Sequence, residues 1–210
     1  MKKIFMALCA FAFVAFTNLN TYAYSEVPEY IENDSKKAIM TICDDENNIY
    51  EIKRTAVEEP VLTTRAYLGN EKSVSYTAAV PSAILNSDKA SSGRDDSYCA
   101  NVSLRIYYTE DTSSAPYAYR LNRASGSYKI TDPNITSRKA NLNFFYSGWS
   151  KNNILAQDSK TVQNIGTSFN QSTGFTQFVS LGGSTYMGSS VTFDFAMGSR
   201  KFTGEFKVCI

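Results

Sequence analysis

The chain has 210 residues, with 21 basic side chains, 20 acidic side chains and no histidine. Because the charges nearly cancel, electrostatics do not favour nucleic acid or an anionic membrane surface as a partner. The missing imidazole excludes Ser-His-Asp and Cys-His nucleophiles and every histidine-based metal site. We therefore predict a protein that is not an enzyme and needs no cofactor and no metal.

The first 23 residues have the pattern of a cleaved secretory signal peptide. Lys2 and Lys3 precede an unbroken apolar run, residues 4–16, and small residues precede a predicted cleavage site after Ala23. The run is shorter than the roughly 20 residues needed to span a bilayer. We predict a secreted protein without a stable membrane anchor, of 210 − 23 = 187 residues after cleavage, which is the size of one domain.

The remaining chain divides into an acidic N-terminal arm, residues 24–37, and a single domain, residues 38–210. The arm contains Pro28 and shows no clean hydrophobic period. Short β-rich runs follow in the first part of the domain, separated by turn-forming residues. These predicted strands are Ala38–Cys43 and Ile49–Thr55, which form a hairpin, then Val61–Leu68 and Ser73–Val80.

The clearest strand runs from Tyr98 to Tyr108. Apolar residues occupy every second position, while the polar side chains between them point the other way. Side chains alternate faces along a strand, so this pattern indicates one buried face and one solvated face. The other strands are expected to cover that buried face.

Further strands and turns follow this strand, and no helix of substantial length is predicted. Ser125-Gly126 is predicted to be the turn of a hairpin, and Asp132-Pro133-Asn134 a turn between strands. Alternation then predicts a strand over 140–146 and a final hairpin around Gly198, with another hairpin turn at Gly182-Gly183. Many short strands separated by turns predict an all-β fold: an antiparallel β-sandwich, with barrel-like closure as the alternative.

Three cysteines, Cys43, Cys99 and Cys209, follow the signal peptide. Cys99 and Cys209 both fall on the polar side of a predicted strand, so we expect these two to form a disulfide if any pair does. Three reduced thiols are the alternative, because free cysteine is also a common small apolar core residue.

Four residues are candidates for a ligand-binding surface: Arg105, Tyr107, Phe145 and Trp149. Tyr107 shares the polar face of its strand with Arg105, and Phe145 shares one with asparagines. Trp149 follows a glycine at a predicted strand end. Aromatic side chains beside amides and hydroxyls are typical of faces that bind glycans or proteins, although the same composition also occurs on ordinary outer sheet faces.

The run YAYRLNRASGSYKITDPNITSRKANLNFFYSG, residues 117–148, carries a motif of the form Y-x-L-x-x-x-S-G-x-Y followed by an aspartate turn and a further strand. This segment resembles one found in small secreted all-β proteins of Gram-positive bacteria. The resemblance extends over roughly residues 98–210. It implies export and an all-β fold, and it implies no particular activity.

Together these observations predict a secreted, non-enzymatic domain that binds a glycan or protein surface outside the cell. One alternative is a pore-forming or bacteriocin-like toxin, because residues 184–196 alternate small polar with apolar residues as a membrane hairpin does. A second alternative is an enzyme that uses the adjacent carboxylates Asp95 and Asp96.

Overall fold

The computed structural model describes residues 38–52, 54–56, 71–82, 98–113, 115–183 and 185–210. The predicted signal peptide, acidic arm, strand over 61–68 and Asp95–Asp96 pair lie outside these ranges. Within them, no helix has the length and apolar character needed to cross a bilayer. The described residues form twelve strands.

The first five strands are β1 (Ala38–Asp44), β2 (Ile49–Ile52), β3 (Arg54–Ala56), β4 (Glu71–Pro81) and β5 (Tyr98–Asp111). The next four are β6 (Ala118–Ile130), β7 (Ile135–Trp149), β8 (Leu155–Val162) and β9 (Ser168–Ser172). The last three are β10 (Val179–Ser180), β11 (Tyr186–Met197) and β12 (Arg200–Cys209). The all-β prediction is confirmed.

All pairings are antiparallel and join the strands into one sheet that is not closed, in the order β2-β1-β12-β11-β7-β10-β6-β5-β4-β3. β8 adds to β7, and β9 adds to β6. The short strand β10 links the two halves, because Ser180 pairs with Trp149 of β7 and with Ala118 of β6. The predicted hairpins β1–β2 and β11–β12 are both present.

One face of the sheet is apolar and buried along most strands. In β5, the alternating residues Ala100, Val102, Leu104 and Ile106 are buried, as predicted, and so are the alternating phenylalanines of β11 and β12. Tyr98, which the alternation predicts on the same face, is instead 53 % exposed, because the register shift opposite Val80/Pro81 interrupts the period. Ala140, Leu142, Phe144 and Tyr146 of β7 join the same apolar cluster. Burial of this many large apolar side chains is the main source of stability for such a fold.

The predicted turn at Ser125-Gly126 is wrong, because β6 continues through these residues as one strand. Gly126 pairs with Leu104 of β5 on one edge and with Phe169 of β9 on the other. A Cβ atom at position 126 would lie 2.6 Å from the Phe169 ring, so the glycine serves a close approach between strands. By contrast, the turn at Asp132-Pro133-Asn134 is confirmed, with the Asn134 N–H donating to the Asp132 carboxylate at 2.8 Å.

Gly182-Gly183 forms a turn but not a hairpin. Gly183 has a φ of +62°, which glycine adopts without strain. However, the strands on either side of the turn do not pair with each other. Ser180 and Tyr186 instead pair with Trp149 and Ser147 on the same edge of β7.

Candidate functional site

Phe145 and Trp149 lie on the outer face of β7, opposite to the buried Phe144 and Tyr146. Successive side chains of a strand point to opposite faces, so Phe145, Ser147 and Trp149 form one row on the outside. The cross-strand neighbours of this row come from β8 on one side and β11 on the other. The register of β7 with β8 and β11 therefore determines which side chains lie next to Phe145 and Trp149 on the outer face.

Phe145 belongs to a cluster with Tyr186 and Lys207. The rings of Phe145 and Tyr186 meet edge to face, with centroids 5.8 Å apart. Nζ of Lys207 lies 4.8 Å from the Phe145 centroid and 5.5 Å from the Tyr186 centroid. An ammonium group over aromatic rings is attracted by their electron-rich faces, so Lys207 helps to fix both rings.

Gly188 lies between Phe145 of β7 and Cys209 of β12 in the cross-strand register. A Cβ atom there would come within 2.1 Å of the Val208 carbonyl oxygen and 3.1 Å of the Cys209 sulfur. A side chain at position 188 would therefore clash with β12, so glycine allows the close approach of β11 and β12 next to Phe145.

Trp149 is 47 % exposed at the end of β7. Its cross-strand neighbour is Leu155 of β8, which is 50 % exposed, and Ile154 precedes Leu155 at the turn. Tyr186, which is 40 % exposed, pairs with Ser147 two residues before Trp149. We refer to Phe145, Trp149, Leu155 and Tyr186 as the aromatic face.

Arg105 and Tyr107 lie on the outer face of β5, on a different part of the sheet. Tyr107 pairs with Arg123 of β6, and the Arg123 guanidinium carbon lies 3.4 Å from the Tyr107 ring centroid. Arg123 Nη2 also lies 3.2 Å from a carboxylate oxygen of Glu71. The Tyr107 hydroxyl is 3.3 Å from the Ser125 hydroxyl, within hydrogen-bond distance. The ring is therefore covered and its polar end is satisfied.

Electrostatics around Tyr107 confirm that its surroundings are strongly polar. Burial raises the pKa of the Tyr107 hydroxyl, but hydrogen bonds from Ser125 and Arg105 and the positive charge of Arg123 outweigh this, so the net pKa is lowered. Ser125, Arg105 and Arg123 thus already make the polar contacts with Tyr107 that a ligand would otherwise make. Arg105 and Tyr107 are separated from β7 by β6 and β10 in the sheet order, so the four predicted residues form two surfaces.

The predicted disulfide between Cys99 and Cys209 is not formed, and all three described thiols are free. Cys99 is also not on the polar side of β5: it is fully buried, and its sulfur donates to the Val80 carbonyl at 3.2 Å. The register between β4 and β5 shifts at Val80/Pro81, which moves Cys99 to the inside. Burial raises the pKa of the Cys99 thiol to about 12, so it is not a reactive thiolate.

Sequence reasoning missed three members of the aromatic face and its neighbours: Tyr186, Leu155 and Lys207. Their association with Phe145 and Trp149 depends on the pairing of β7 with β8 and β11 and of β11 with β12, which the sequence pattern does not supply. Among the described residues, no cluster of three or more aspartate, glutamate or cysteine side chains is arranged to hold a metal ion. No family model, no curated protein and no solved structure matches the chain.

Proposed function

We propose that this chain is a secreted, non-enzymatic protein that binds a glycan or protein surface outside the cell through the aromatic face. The observation that carries the proposal is the half-exposed Trp149, which stands beside Leu155 and in line with Phe145. Large apolar side chains with this much exposure contribute most to binding when a partner covers them, which is why tryptophan and tyrosine are enriched at interfaces.

Hydroxyl and amide groups alternate with the rings and support recognition of a polar partner. Ser147 lies between Phe145 and Trp149 along β7, and Gln157 of β8 pairs with Ser147. Aromatic rings stack against the apolar faces of sugars or side chains, while hydroxyls and amides satisfy the polar groups around them. Arg105 and Tyr107 are secondary candidates, since their polar groups are engaged by neighbours.

We also infer that the sheet folds into two packed layers, as in a sandwich. β5 contacts β11 and β12, although neither is adjacent to it in the sheet order. β1 contacts β3 and β2 contacts β4, which brings the two ends of the strand path together. A single apolar cluster with members from both halves is what two stacked layers would bury.

A glycan array and a pull-down from cell-surface extracts, each with wild type and Trp149→Ala, test the binding proposal. Tyr98→Ala is the matched control, because Tyr98 is 53 % exposed at the start of β5 and lies off the aromatic face. We expect a ligand that Trp149→Ala loses and Tyr98→Ala retains. Absence of any ligand together with a measurable hydrolase activity would overturn the proposal.

Export is tested by the N-terminal sequence of the protein from culture medium, which we expect to begin at Tyr24.

Release of dye from liposomes tests the toxin alternative. The segment predicted for a membrane hairpin overlaps β11, which pairs with β7 and β12 along its length. Insertion of this segment into a membrane would require both pairings to break, so we expect no dye release from the folded protein. Dye release would favour the toxin alternative over the binding proposal.

A further inference from the structure

A groove of about 750 Å³ opens where β6 and β7 diverge. These strands are joined by the turn at Thr131–Asn134, yet they do not pair with each other. At the far end β10 fills the space between them, whereas near the turn residues 127–130 of β6 and Ser137, Lys139 and Ala140 of β7 line an open groove. Its volume is within the usual range for small-ligand sites.

The segment 164–167 holds the two walls of this groove in place. The Ile165 N–H donates to the Ala140 carbonyl at 2.9 Å, and the Tyr128 N–H donates to the Thr167 carbonyl at 2.9 Å. The Asn164 N–H donates to the Asn141 side-chain oxygen at 3.1 Å. Each wall is therefore fixed by hydrogen bonds to the same segment, so the groove is formed before any ligand binds.

The lining combines positive charge with hydroxyl groups. Lys129 comes from β6 and Lys139 from β7, and the hydroxyl-bearing residues Ser127, Ser137 and Thr167 also belong to the lining. No aspartate or glutamate from the described ranges belongs to the lining. Among the residues that the structure describes, neither lysine forms an ion pair. Asp194 is the cross-strand neighbour of Lys139 in the β7–β11 register, so among the described side chains the two lysines and this aspartate sum to 2 − 1 = +1.

Ammonium groups attract carboxylates and phosphates, and hydroxyls exchange hydrogen bonds with sugar hydroxyls. An inorganic anion alone would leave most of the volume unfilled, whereas a short saccharide with an acidic group fills more of it and also matches the lysines and hydroxyls of the lining. We propose that this groove binds an anionic saccharide, with the carboxylate or phosphate group placed between Lys129 and Lys139. The site is separate from the aromatic face and does not depend on the function proposed for it.

Calorimetric titration of the full-length secreted protein with three probes tests this site. The probes are a galacturonate trimer, glucose 6-phosphate, and maltotriose as the neutral control. We expect at least one anionic probe to bind and maltotriose not to bind. The probe that binds identifies whether a carboxylate or a phosphate is recognised. Added salt should weaken binding, because it screens the attraction between charges.

The double variant Lys129→Gln, Lys139→Gln should weaken binding of that probe by about tenfold or more. Lys201→Gln, at an exposed lysine of β12 outside the groove, should bind as wild type does. Amide chemical shifts of the unaltered protein give a second measurement, with changes expected at 127–130 and 137–140. No binding of either anion at about 1 mM, equal binding of maltotriose, or an unaffected double variant would each overturn the proposal.

Discussion

The inner and outer faces of β7, β11 and β12 are built from alternate residues of the same strands, and they differ in what fixes their side chains. Phe144 on the inside is fully buried among other apolar residues. Phe145, the next residue, points outward and is held by one ring and one ammonium group. We therefore expect substitutions on the inner face to lower the free energy of unfolding strongly, and substitutions on the outer face to leave the fold intact.

The largest difference between the faces is expected for Phe144→Ala and Phe145→Ala. Removing the buried Phe144 ring leaves a cavity and should lower the free energy of unfolding by about 3–5 kcal/mol. Removing the Phe145 ring should lower the free energy of unfolding by only about 1 kcal/mol or less. Urea unfolding of both variants measures these values, and similar losses for the two would contradict the assigned faces.

Gly204→Ala tests how tightly the inner face is packed at β12. Gly204 pairs with Phe193, and a Cβ atom at position 204 would lie 1.9 Å from Cε2 of the buried Phe193 ring. The ring would have to move within a packed core, so we expect the free energy of unfolding to fall by about 3 kcal/mol.

Gly182→Ala is the matched control for this substitution. A Cβ atom at position 182 would meet no heavy atom within 4 Å. Thermal unfolding should therefore show a clear loss for Gly204→Ala and almost none for Gly182→Ala. Equal melting temperatures for the two variants would show that the Phe193 ring is not confined as described.

Much of this inner face was predictable from the sequence, because burial on one side of a strand requires an apolar residue at every second position. Leu104 and Phe193 are buried for that reason. β8 was missed because nearly all its side chains are exposed, so it has no alternation to detect. Cys99 was placed on the wrong face because a register shift in β4–β5 interrupts the period.

The candidate site was predictable only in part. Phe145 and Trp149 stand out as aromatics on a polar face of one strand. Tyr186 and Lys207 lie more than 35 residues further along the chain, and only strand pairing brings them to Phe145. Local pattern fixes which way a side chain points, but partners across a sheet depend on register.

Asp44 is an exception to the apolar inner face, since it is the only charged residue that is buried among the described residues. One carboxylate oxygen accepts from the Glu46 N–H at 3.0 Å and the Asn48 N–H at 2.8 Å. The other accepts from Asn48 Nδ2 at 3.0 Å and from the Tyr50 hydroxyl at 3.2 Å. These bonds stabilise the β1–β2 turn.

Asp44→Asn should lower the free energy of unfolding by about 2 kcal/mol at neutral pH, because an amide nitrogen cannot accept from Asn48 and Tyr50. Burial raises the pKa of the Asp44 carboxyl, but its hydrogen bonds outweigh this and the net pKa lies below the ordinary value. The stabilisation is therefore present above the unfolded-state pKa and is lost as pH falls through the lower folded pKa.

Chemical denaturation between neutral and strongly acidic pH measures this dependence. Asp45→Asn is the control, since the Asp45 side chain is 41 % exposed and its carboxylate lies 4.0 Å from Nε of Arg200, the arginine whose Nη2 also lies 3.7 Å from the Asp44 carboxylate. We expect the gap between wild type and Asp44→Asn to narrow at low pH. A gap that is constant with pH would exclude the carboxylate as the stabilising group.

The smallest effect is expected on the outer face of β5 and β6, for Glu71→Gln. The Glu71–Arg123 pair is partly solvent-exposed, and such pairs contribute about 1 kcal/mol or less. Glutamine keeps an oxygen that can accept from Asn122, which donates to Glu71 at 3.0 Å. Chemical unfolding at low and high salt should show that Glu71→Gln lowers the free energy of unfolding by about 1 kcal/mol or less, and that this difference from wild type becomes smaller as the salt concentration rises. A salt-independent loss comparable to that of Gly204→Ala would mean that this outer network stabilises the fold as the inner face does, and the division of roles between the two faces would not hold.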